Sequence, residues 1–427
     1  MPRFERLARV AIAAAVAACV ALVAVNFVLA PLTGHFTGWF EDFGPILAAG
    51  RAANAGADPY AGFIANAPTS LVTNLGFDYM PLVAVLARPL AALPYAVAQT
   101  IWLWCILAAN VAGAIIVARE TLPATWPRTS IGFAAAIVFA PMVYNVWHGQ
   151  MNAFVFLSLA IALRSWLRGD QVGCGLALGL GGVAKVAPAA LLLLLLRRRW
   201  WPGFLAGAGT LVGSLVAGGV LLGFDRVREW LTSVLPVLSR ADGWYFNESL
   251  GALISRTAGH NVFRLDPPDP ALQLAVTVAS AGCLIAAVWA VRSGTASTER
   301  RQIEFGAAVT AMVLAGSIAW WDDYSSLLIP LLAIAGLVAR REASRPLIFA
   351  GVAVFLVAGV AAPAFLGSGG TGWVPSTFGT AWWLPALQLD SLPAWTALAL
   401  LVALLVTLAR GGAWSGPRAG HEGATGS

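Results

Sequence analysis

Four carboxylates lie in one polar stretch of an otherwise apolar sequence, between Phe40 and Pro81. The stretch separates two strongly apolar segments, and its acids are Glu41, Asp42, Asp58 and Asp78. A carboxylate within hydrogen-bond reach of a hydroxyl group can take its proton while the oxygen attacks an electrophile. The stretch therefore indicates general-base chemistry, with Asp42 as the first candidate and Glu41 as the second. The residue types leave a second role open for Asp42, as the N-cap of a short helix that begins at Phe43.

Three further polar clusters interrupt apolar runs far apart in the sequence. They are His148–Asn152, Lys185–Pro188 and Trp320–Tyr324. Gln150 and Asn152 are suited to bind sugar hydroxyls, and equally suited to bind the backbone carbonyls of a tight turn. Lys185 is suited to bind a phosphate, because an ionisable residue within an apolar run is most often functional. The alternative for Lys185 is a side chain that extends to the lipid headgroups.

Other polar residues in these stretches have more ordinary interpretations beside the functional ones. Asp78 and Tyr79 are candidates to bind a sugar, although a cap at the start of a short helix is preferred. Asp322 and Asp323 are candidate substrate-binding residues with the composition of a divalent-cation pair. Two acids alone provide too few oxygen ligands for such an ion, and His148 is expected to be an interfacial histidine rather than a ligand. No metal ion and no cofactor is predicted.

The composition shows which environment must position these residues. The chain has 427 residues, of which 59% are hydrophobic and 11% are charged, whereas soluble domains carry about 25% charged residues. Several apolar runs approach the ~18–20 residues that cross a bilayer as a helix, and they are continuous rather than alternating. The net charge of +6 is explained by basic residues in cytoplasmic loops. The sequence therefore predicts an all-α polytopic membrane protein with no nucleic-acid partner.

Apolar runs and loop charges predict about twelve transmembrane helices with both ends in the cytoplasm. A single domain is expected over residues 1–410, followed by a disordered cytoplasmic tail at 411–427. Long extracytoplasmic loops are expected at 31–94, 223–270 and 367–390. The run 171–196 is expected to break near Lys185–Pro188, because proline disfavours the helix there. The expected spans are a signal anchor that ends at Ala30, then 95–118, 129–146, 151–166, the two halves of 171–196, 203–222, 271–292, 303–320, 324–339, 346–366 and 391–409.

A series of short motifs runs along about residues 35–330. They are Asp42-Phe43, Ala48-Ala49-Gly50, Asp58-Pro59-Tyr60, Tyr79-x-Pro81, Arg88-Pro89-Leu90, Leu93-Pro94, Gly149-Gln150-x-Asn152, Lys185-x-x-Pro188 and Asn247-Glu248-Ser249-Leu250 with Arg256. In order and spacing the series resembles glycosyltransferase family 87, polytopic enzymes of the GT-C type that use polyprenyl-phosphate sugars. One position departs from the family: Asp322 and Asp323 stand where many members have a Trp-x-His or His-His element.

The resemblance implies a GT-C-like bundle of about twelve transmembrane helices with long extracytoplasmic loops. It also implies that Asp42 is the catalytic base, and that the lipid phosphate leaves from the face opposite to the attack, with inversion. Charge on the leaving phosphate needs a cation or hydrogen-bond donors, for which Lys185 is the first candidate and Arg256 the next. Asn247 and Glu41 complete the set of candidate substrate-binding residues.

These observations predict an integral, multi-pass glycosyltransferase of the cell membrane with its active site on the extracytoplasmic face. It is expected to transfer a hexose, with mannose preferred, from a polyprenyl-phosphate donor to a lipid or glycan acceptor, in contact with membrane lipids. Two other classes stay open. A transporter or flippase of polyprenyl-linked glycans would share the lipid groove but needs no base. In an assembly protein no single polar residue would matter.

Overall fold

The computed structural model of the protein describes residues 40–66, 76–240, 243, 247–258, 269–292, 294, 296–361 and 391–410. Every regular element in these ranges is helical, as the continuous apolar runs predict. The expected signal anchor, the third outer loop at 367–390 and the tail at 411–427 lie outside the described residues.

Short helices occupy much of the expected outer loop at 31–94. The first helices are α1 (Phe43–Asn54), α2 (Ala61–Asn66), α3 (Pro81–Ala91), α4 (Tyr95–Thr121), α5 (Arg128–Val138), α6 (Ala140–His148) and α7 (Asn152–Arg168). Helices α1 and α3 pack together closely, because Gly50 has no side chain to separate it from the backbone of Ala87. The axes of α5 and α6 differ by 59°, since Pro141 cannot continue the helix without a clash in the preceding turn.

The central region contains the predicted helix break. Its helices are α8 (Gln171–Ala184), α9 (Leu192–Arg197), α10 (Trp201–Leu222), α11 (Phe224–Glu229), α12 (Leu235–Leu238) and α13 (Leu250–Thr257). Helix α8 ends before Lys185, which is extended, and a 3-10 helix at Ala187–Leu191 follows. The break predicted near Lys185–Pro188 is therefore confirmed. A side chain on Gly175 would collide with the backbone of Gly203, so small residues allow α8 and α10 to touch.

The last described region surrounds a short turn of 3-10 helix at Trp321–Leu327, called here the Trp321 turn. Its helices are α14 (Pro270–Ala290), α15 (Thr298–Ala315), α16 (Leu328–Ala339), α17 (Arg345–Leu356) and α18 (Leu392–Ala409). Helix α15 begins and ends five residues earlier than the predicted span 303–320. Its first turn is charged and partly buried, and Ser297 caps it by accepting a hydrogen bond from the Arg300 nitrogen at 3.2 Å.

Within the described ranges, five helices are long and apolar enough to cross a membrane. The bent pair α5–α6 becomes a sixth span if its two halves are counted together. The five are Tyr95–Thr121, Trp201–Leu222, Pro270–Ala290, Trp321–Ala339 and Leu392–Ala409, each close to a predicted span. Helices α7, α8 and α15 are shorter or more charged. About twelve spans in a GT-C bundle therefore stays a prediction.

Packing between helix ends brings distant polar residues together. Helices α6 and α7 both contact the Trp321 turn, and α8 contacts α7 and α10. Phe156 of α7, Trp166 of α7 and Phe305 of α15 are buried in the shared apolar core. The residues between α6 and α7, the break after α8 and the Trp321 turn therefore meet at one place.

Candidate functional site

Asp42 is attached to the end of α6 by main-chain hydrogen bonds. The Asp42 nitrogen donates to the carbonyl of His148 at 3.1 Å, and the Phe40 nitrogen donates to the carbonyl of Trp147 at 2.8 Å. Asp42 occupies the N-cap position of α1, but its side chain makes no capping hydrogen bond. The helix predicted from Phe43 is thus confirmed, while the carboxylate of Asp42 points to contacts beyond its own helix.

Gln150 orients the Asp42 carboxylate. Its Nε2 donates to Oδ2 of Asp42 at 2.5 Å, and its Oε1 lies 3.5 Å from the hydroxyl of Tyr79. The Gln150 amide therefore binds a carboxylate rather than the backbone carbonyls of its own turn. A hydrogen bond from an amide fixes the direction in which the other Asp42 oxygen presents its lone pairs.

The turn at Gly149 sets the position of Gln150. Gly149 ends α6 with φ of 71°, in the left-handed region that glycine adopts without steric cost. A Cβ atom there would lie 2.7 Å from Cδ1 of Phe40, so a side chain would displace the segment that carries Asp42. The Gly149 carbonyl also accepts a hydrogen bond from Nε1 of Trp102 at 2.8 Å.

Asp78 and Tyr79 reach the site as irregular chain that precedes α3. The N-cap of α3 is Met80, so the preferred interpretation of Asp78 and Tyr79 as a helix cap is wrong. Other elements hold this segment instead. Nε1 of Trp230 donates to the carbonyl of Asp78 at 3.0 Å, and the hydroxyl of Tyr60 donates to the carbonyl of Tyr79 at 2.8 Å.

Lys185 and Asp323 form an ion pair at the site. Nζ of Lys185 lies 2.7 and 2.8 Å from the two carboxylate oxygens of Asp323. Asp323 also accepts a hydrogen bond from the Trp320 nitrogen at 2.9 Å. Because a lysine ammonium has three N–H donors, the pair with Asp323 leaves one donor for a ligand.

These segments enclose a cavity of about 320 Å³. Its size lies at the lower end of the roughly 300–1,000 Å³ that small-molecule sites occupy. Polar and apolar residues both contribute to the wall. The polar ones include Asp42, Asp78, Tyr79, Gln150 and Lys185, and the apolar ones include Phe63, Val183, Leu235, Leu238 and Ile318.

Burial and neighbouring acids favour the protonated forms of the carboxyl groups. Burial, together with the charges of Asp322 and Asp78, raises the pKa of Asp42 to about 8. The hydrogen bond from Gln150 and the charge of Lys185 act in the opposite direction. Burial raises the pKa of Asp78 to about 6, with Lys185 again opposing the shift. The site therefore holds more acidic groups than its nearby cation can balance.

Several buried polar atoms on α6, α7 and the Trp321 turn have no hydrogen-bond partner among the described residues. They are both oxygens of Asp322, Nδ1 of His148 and the side-chain amide atoms of Asn145 and Asn152. Such groups are normally paired. One carboxylate oxygen each of Asp42 and Asp322 and one imidazole nitrogen of His148 lie within 4.8 Å of one another. The sequence interpretation missed Asn145, although an asparagine three residues before His148 lies on the same helix face.

Six predicted substrate-binding residues are not among those that line the cavity: Glu41, Asn152, Asn247, Arg256, Asp322 and Asp323. Glu41 is exposed. Arg256 is fully buried; its Nε donates to Oγ of Ser391 at 2.8 Å, and one terminal nitrogen donates to the carbonyl of Asn247 at 2.7 Å. Nδ2 of Asn247 donates to the carbonyl of Ser317 at 2.8 Å. This network ties the start of α13 to the segment before the Trp321 turn.

The sequence profile of glycosyltransferase family 87 matches residues 77–317, which is more than half of the chain. The matched range contains Asp78, Gln150 and Lys185 of the cavity wall. Asp42 and Asp322 lie outside it, on either side.

One similar protein is the polyprenol-phosphate-mannose-dependent alpha-(1-2)-phosphatidylinositol pentamannoside mannosyltransferase of Mycolicibacterium smegmatis (strain ATCC 700084 / mc(2)155). The two sequences are 28% identical over 194 residues, which are 44% of this chain and 45% of the relative. The match therefore spans less than half of the relative's length.

Proposed function

The chain belongs to glycosyltransferase family 87, and on this basis we propose that it is a membrane mannosyltransferase. In this proposal a polyprenyl phosphate donates the hexose, with mannose preferred, and a lipid or glycan accepts it on the extracytoplasmic face. The activity in the name of the M. smegmatis relative supports mannose as the sugar and a glycolipid as the acceptor.

The observation that carries the proposal is the position and hydrogen bonding of the Asp42 carboxylate. It occupies a helix N-cap position without capping the helix, lies in the wall of the cavity and is oriented by Gln150. A solvated or purely structural acid would not need a dedicated amide partner of this kind. The arrangement suits a general base that must meet a hydroxyl group in a defined direction.

In the proposed reaction the ionised form of Asp42, which the hydrogen bond from Gln150 and the charge of Lys185 favour, accepts the proton of the acceptor hydroxyl. The hydroxyl oxygen forms a bond to the anomeric carbon while the bond from that carbon to the phosphate oxygen breaks. The polyprenyl phosphate leaves with the electron pair, so the configuration at the anomeric carbon inverts. General-base assistance of this kind contributes about 10²–10⁴-fold to a rate.

Lys185 is the proposed partner of the leaving phosphate. It lines the same cavity as Asp42 and keeps one N–H donor beside its pair with Asp323. Donors fixed in advance toward developing negative charge stabilise the transition state without reorganisation. Asp323 holds the ammonium group in place and is a positioning residue in this proposal.

The apolar part of the wall supports a lipid-linked donor. Phe63, Val183 and Leu235 lie beside the polar residues of the cavity, so the first prenyl units can pack there while the sugar faces Asp42. Asp78 and Tyr79 are proposed to contact the sugar. Exclusion of water from such a site protects an activated sugar from hydrolysis.

Arg256 and Asn247 are proposed to act through the backbone rather than by touching substrate. Their hydrogen bonds fix the segment around Ser317, and Ser317 is itself a cavity residue. This role replaces direct phosphate binding by Arg256, because the guanidinium group is fully buried.

The test compares wild-type protein with Asp42→Asn in lipid nanodiscs. The donor is radiolabelled polyprenyl-phosphate mannose, and a membrane-lipid extract supplies the acceptor. Asn is nearly isosteric with Asp but cannot take a proton, so we expect transfer to fall by about 10²–10⁴-fold. Glu342→Gln is the matched control, since Glu342 is exposed and pairs with Arg340 at the far end of α16.

Equal transfer by wild type and a folded Asp42→Asn protein would contradict the role of Asp42 as base. Donor flipping without transfer, unchanged in Asp42→Asn, would support the transporter class instead, since movement of a glycolipid needs no base.

A further inference from the structure

A carboxylate oxygen of Asp42, a carboxylate oxygen of Asp322 and an imidazole nitrogen of His148 form a preassembled set of possible metal ligands. The three residues come from the start of α1, the end of α6 and the Trp321 turn, and their donor atoms lie within 4.8 Å of one another. Ligand atoms around one octahedral cation, at about 2.1 Å from it, are separated by about 3–4.2 Å. A shift of about 1 Å or less per side chain would therefore close the site around an ion.

Two of the three residues have buried polar atoms without any other partner. Both carboxylate oxygens of Asp322 and Nδ1 of His148 lack a hydrogen bond from the described residues, and Asp322 is only 1% exposed. A buried carboxylate is costly unless it is paired with a cation or with hydrogen-bond donors. One carboxylate oxygen of Asp322 and one ring nitrogen of His148 lie within 4.8 Å of each other and of a carboxylate oxygen of Asp42.

The charge balance points the same way. Asp42, Asp78, Asp322 and Asp323 interact with one another and with Lys185; these five residues are called here the Asp42 cluster. Lys185 is already engaged by both oxygens of Asp323. Under the proposed function, a lipid phosphate must approach this cluster and add further negative charge. One lysine cannot balance such an excess, whereas a divalent cation would offset two further negative charges.

We propose that a divalent cation binds between Asp42, His148 and Asp322 and bridges to the phosphate of the donor. Two carboxylates and one imidazole nitrogen suit a cation such as Mn²⁺. Water molecules and phosphate oxygens would complete the coordination. Asp42 can bind the cation and also act as the general base, because a carboxylate has about four lone-pair positions and Gln150 bonds only Oδ2.

This inference deepens the proposed function, and metal binding can be measured without donor or acceptor. Protein treated with chelator and placed in phosphatidylcholine nanodiscs, which carry no net charge, is titrated with Mn²⁺. Free Mn²⁺ is followed by electron paramagnetic resonance. We expect one bound ion per chain. Asp322→Asn and His148→Phe are expected to weaken binding at least about tenfold, as loss of groups at metal sites does. Glu342→Gln is expected to bind as wild type does.

Absence of saturable Mn²⁺ binding, or equal binding by wild type and both variants, would overturn the site. If His148→Phe does not fold, Asp322→Asn alone still tests the metal site. A second arm tests the bridge to the donor phosphate: chelation should abolish mannosyl transfer and Mn²⁺ should restore it. Undiminished transfer by chelated protein would overturn the bridge. If no transfer occurs under any condition, the proposed function fails while the titration still decides the metal site.

Discussion

Two buried charge clusters of this membrane protein differ in how well their charges are matched. In the Arg300 cluster, Nε of Arg300 lies 3.0 Å from Glu304, and the terminal nitrogens donate to the carbonyls of Leu408 at 3.1 Å and Ala290 at 3.2 Å. Glu304 also accepts a hydrogen bond from the Arg292 nitrogen at 3.1 Å. In the Asp42 cluster, four carboxylates share the single ammonium group of Lys185.

The difference separates a structural use of buried charge from a functional one. The bonds of Arg300 join α14, α15 and α18, so this pair holds helix ends together. The Asp42 cluster joins several segments too, yet Asp322 receives no hydrogen bond from the described residues. A folded chain retains such an imbalance at a cost in stability, which an incoming cation or substrate can offset.

The largest effect on stability is expected from Arg300→Met. The substitution leaves Glu304 buried without its cation, and breaking a buried pair in this way costs about 3–5 kcal/mol. Denaturant unfolding of the detergent-solubilised protein measures the loss. The double variant Arg300→Met/Glu304→Leu should recover much of it, because no charge is then left unpaired. If Arg300→Met were as stable as wild type, the Arg300 cluster would not be the structural use of buried charge that distinguishes it from the Asp42 cluster.

Lys185→Met should have the next largest effect, which is a loss of transfer activity rather than of stability. Loss of a donor aimed at developing charge lowers a rate by about 10²–10³-fold. The measurement is the rate of mannosyl transfer at saturating donor. Asp323→Asn retains the ammonium group and is expected to lose less activity than Lys185→Met. Transfer at the wild-type rate by Lys185→Met would contradict the proposed contact between Lys185 and the leaving phosphate.

Gln150→Leu should lower kcat about tenfold, with little change in KM for the donor. The variant removes the hydrogen bond that directs the Asp42 carboxylate, and one such bond to a charged group is worth about 1.5–3 kcal/mol at most. Steady-state kinetics separate the two parameters. A raised KM with unchanged kcat would instead assign Gln150 to sugar binding, which is the role first considered from the sequence.

The smallest expected effect is a gain in stability from Asp322→Asn. In the presence of a chelator the variant should be more stable than wild type by about 1 kcal/mol, because a buried unpaired charge is replaced by a neutral amide. Mn²⁺ should raise the unfolding temperature of wild type but not that of the variant, since only a bound ligand stabilises the native state. A variant less stable than wild type under chelation would mean that Asp322 already has a stabilising partner.

Local rules predicted much of the helical framework. Proline predicted the break near Lys185–Pro188, and the small residues Gly175 and Gly203 allow the close contact of α8 with α10. A helix that begins at Phe43 was one interpretation of the sequence, although the side chain of Asp42 does not cap it. These features depend on neighbours within a few residues, so the local sequence contains the information needed to predict them.

Features that depend on distant partners were predicted less well. The expected span 303–320 left out the first turn of α15, because charged residues are excluded from apolar runs, yet Glu304 and Arg300 are buried there as a pair. Arg256 was predicted to approach a phosphate, and tertiary packing enclosed it among Ser391 and the carbonyl of Asn247. The loop expected at 31–94 contains the three short helices α1–α3, of which the sequence suggested the start of α1 at Phe43.

The sequence by itself determined that this chain is helical, apolar and membrane-embedded, that it breaks at Lys185–Pro188, and that its motifs resemble glycosyltransferase family 87. Composition and local sterics suffice for those conclusions. Only the tertiary structure decided that Gln150 bonds Asp42, that Lys185 pairs with Asp323, and that Asp322 and His148 lie beside Asp42. Those pairings join residues more than 100 positions apart, and they depend on helix packing geometry that no local pattern encodes.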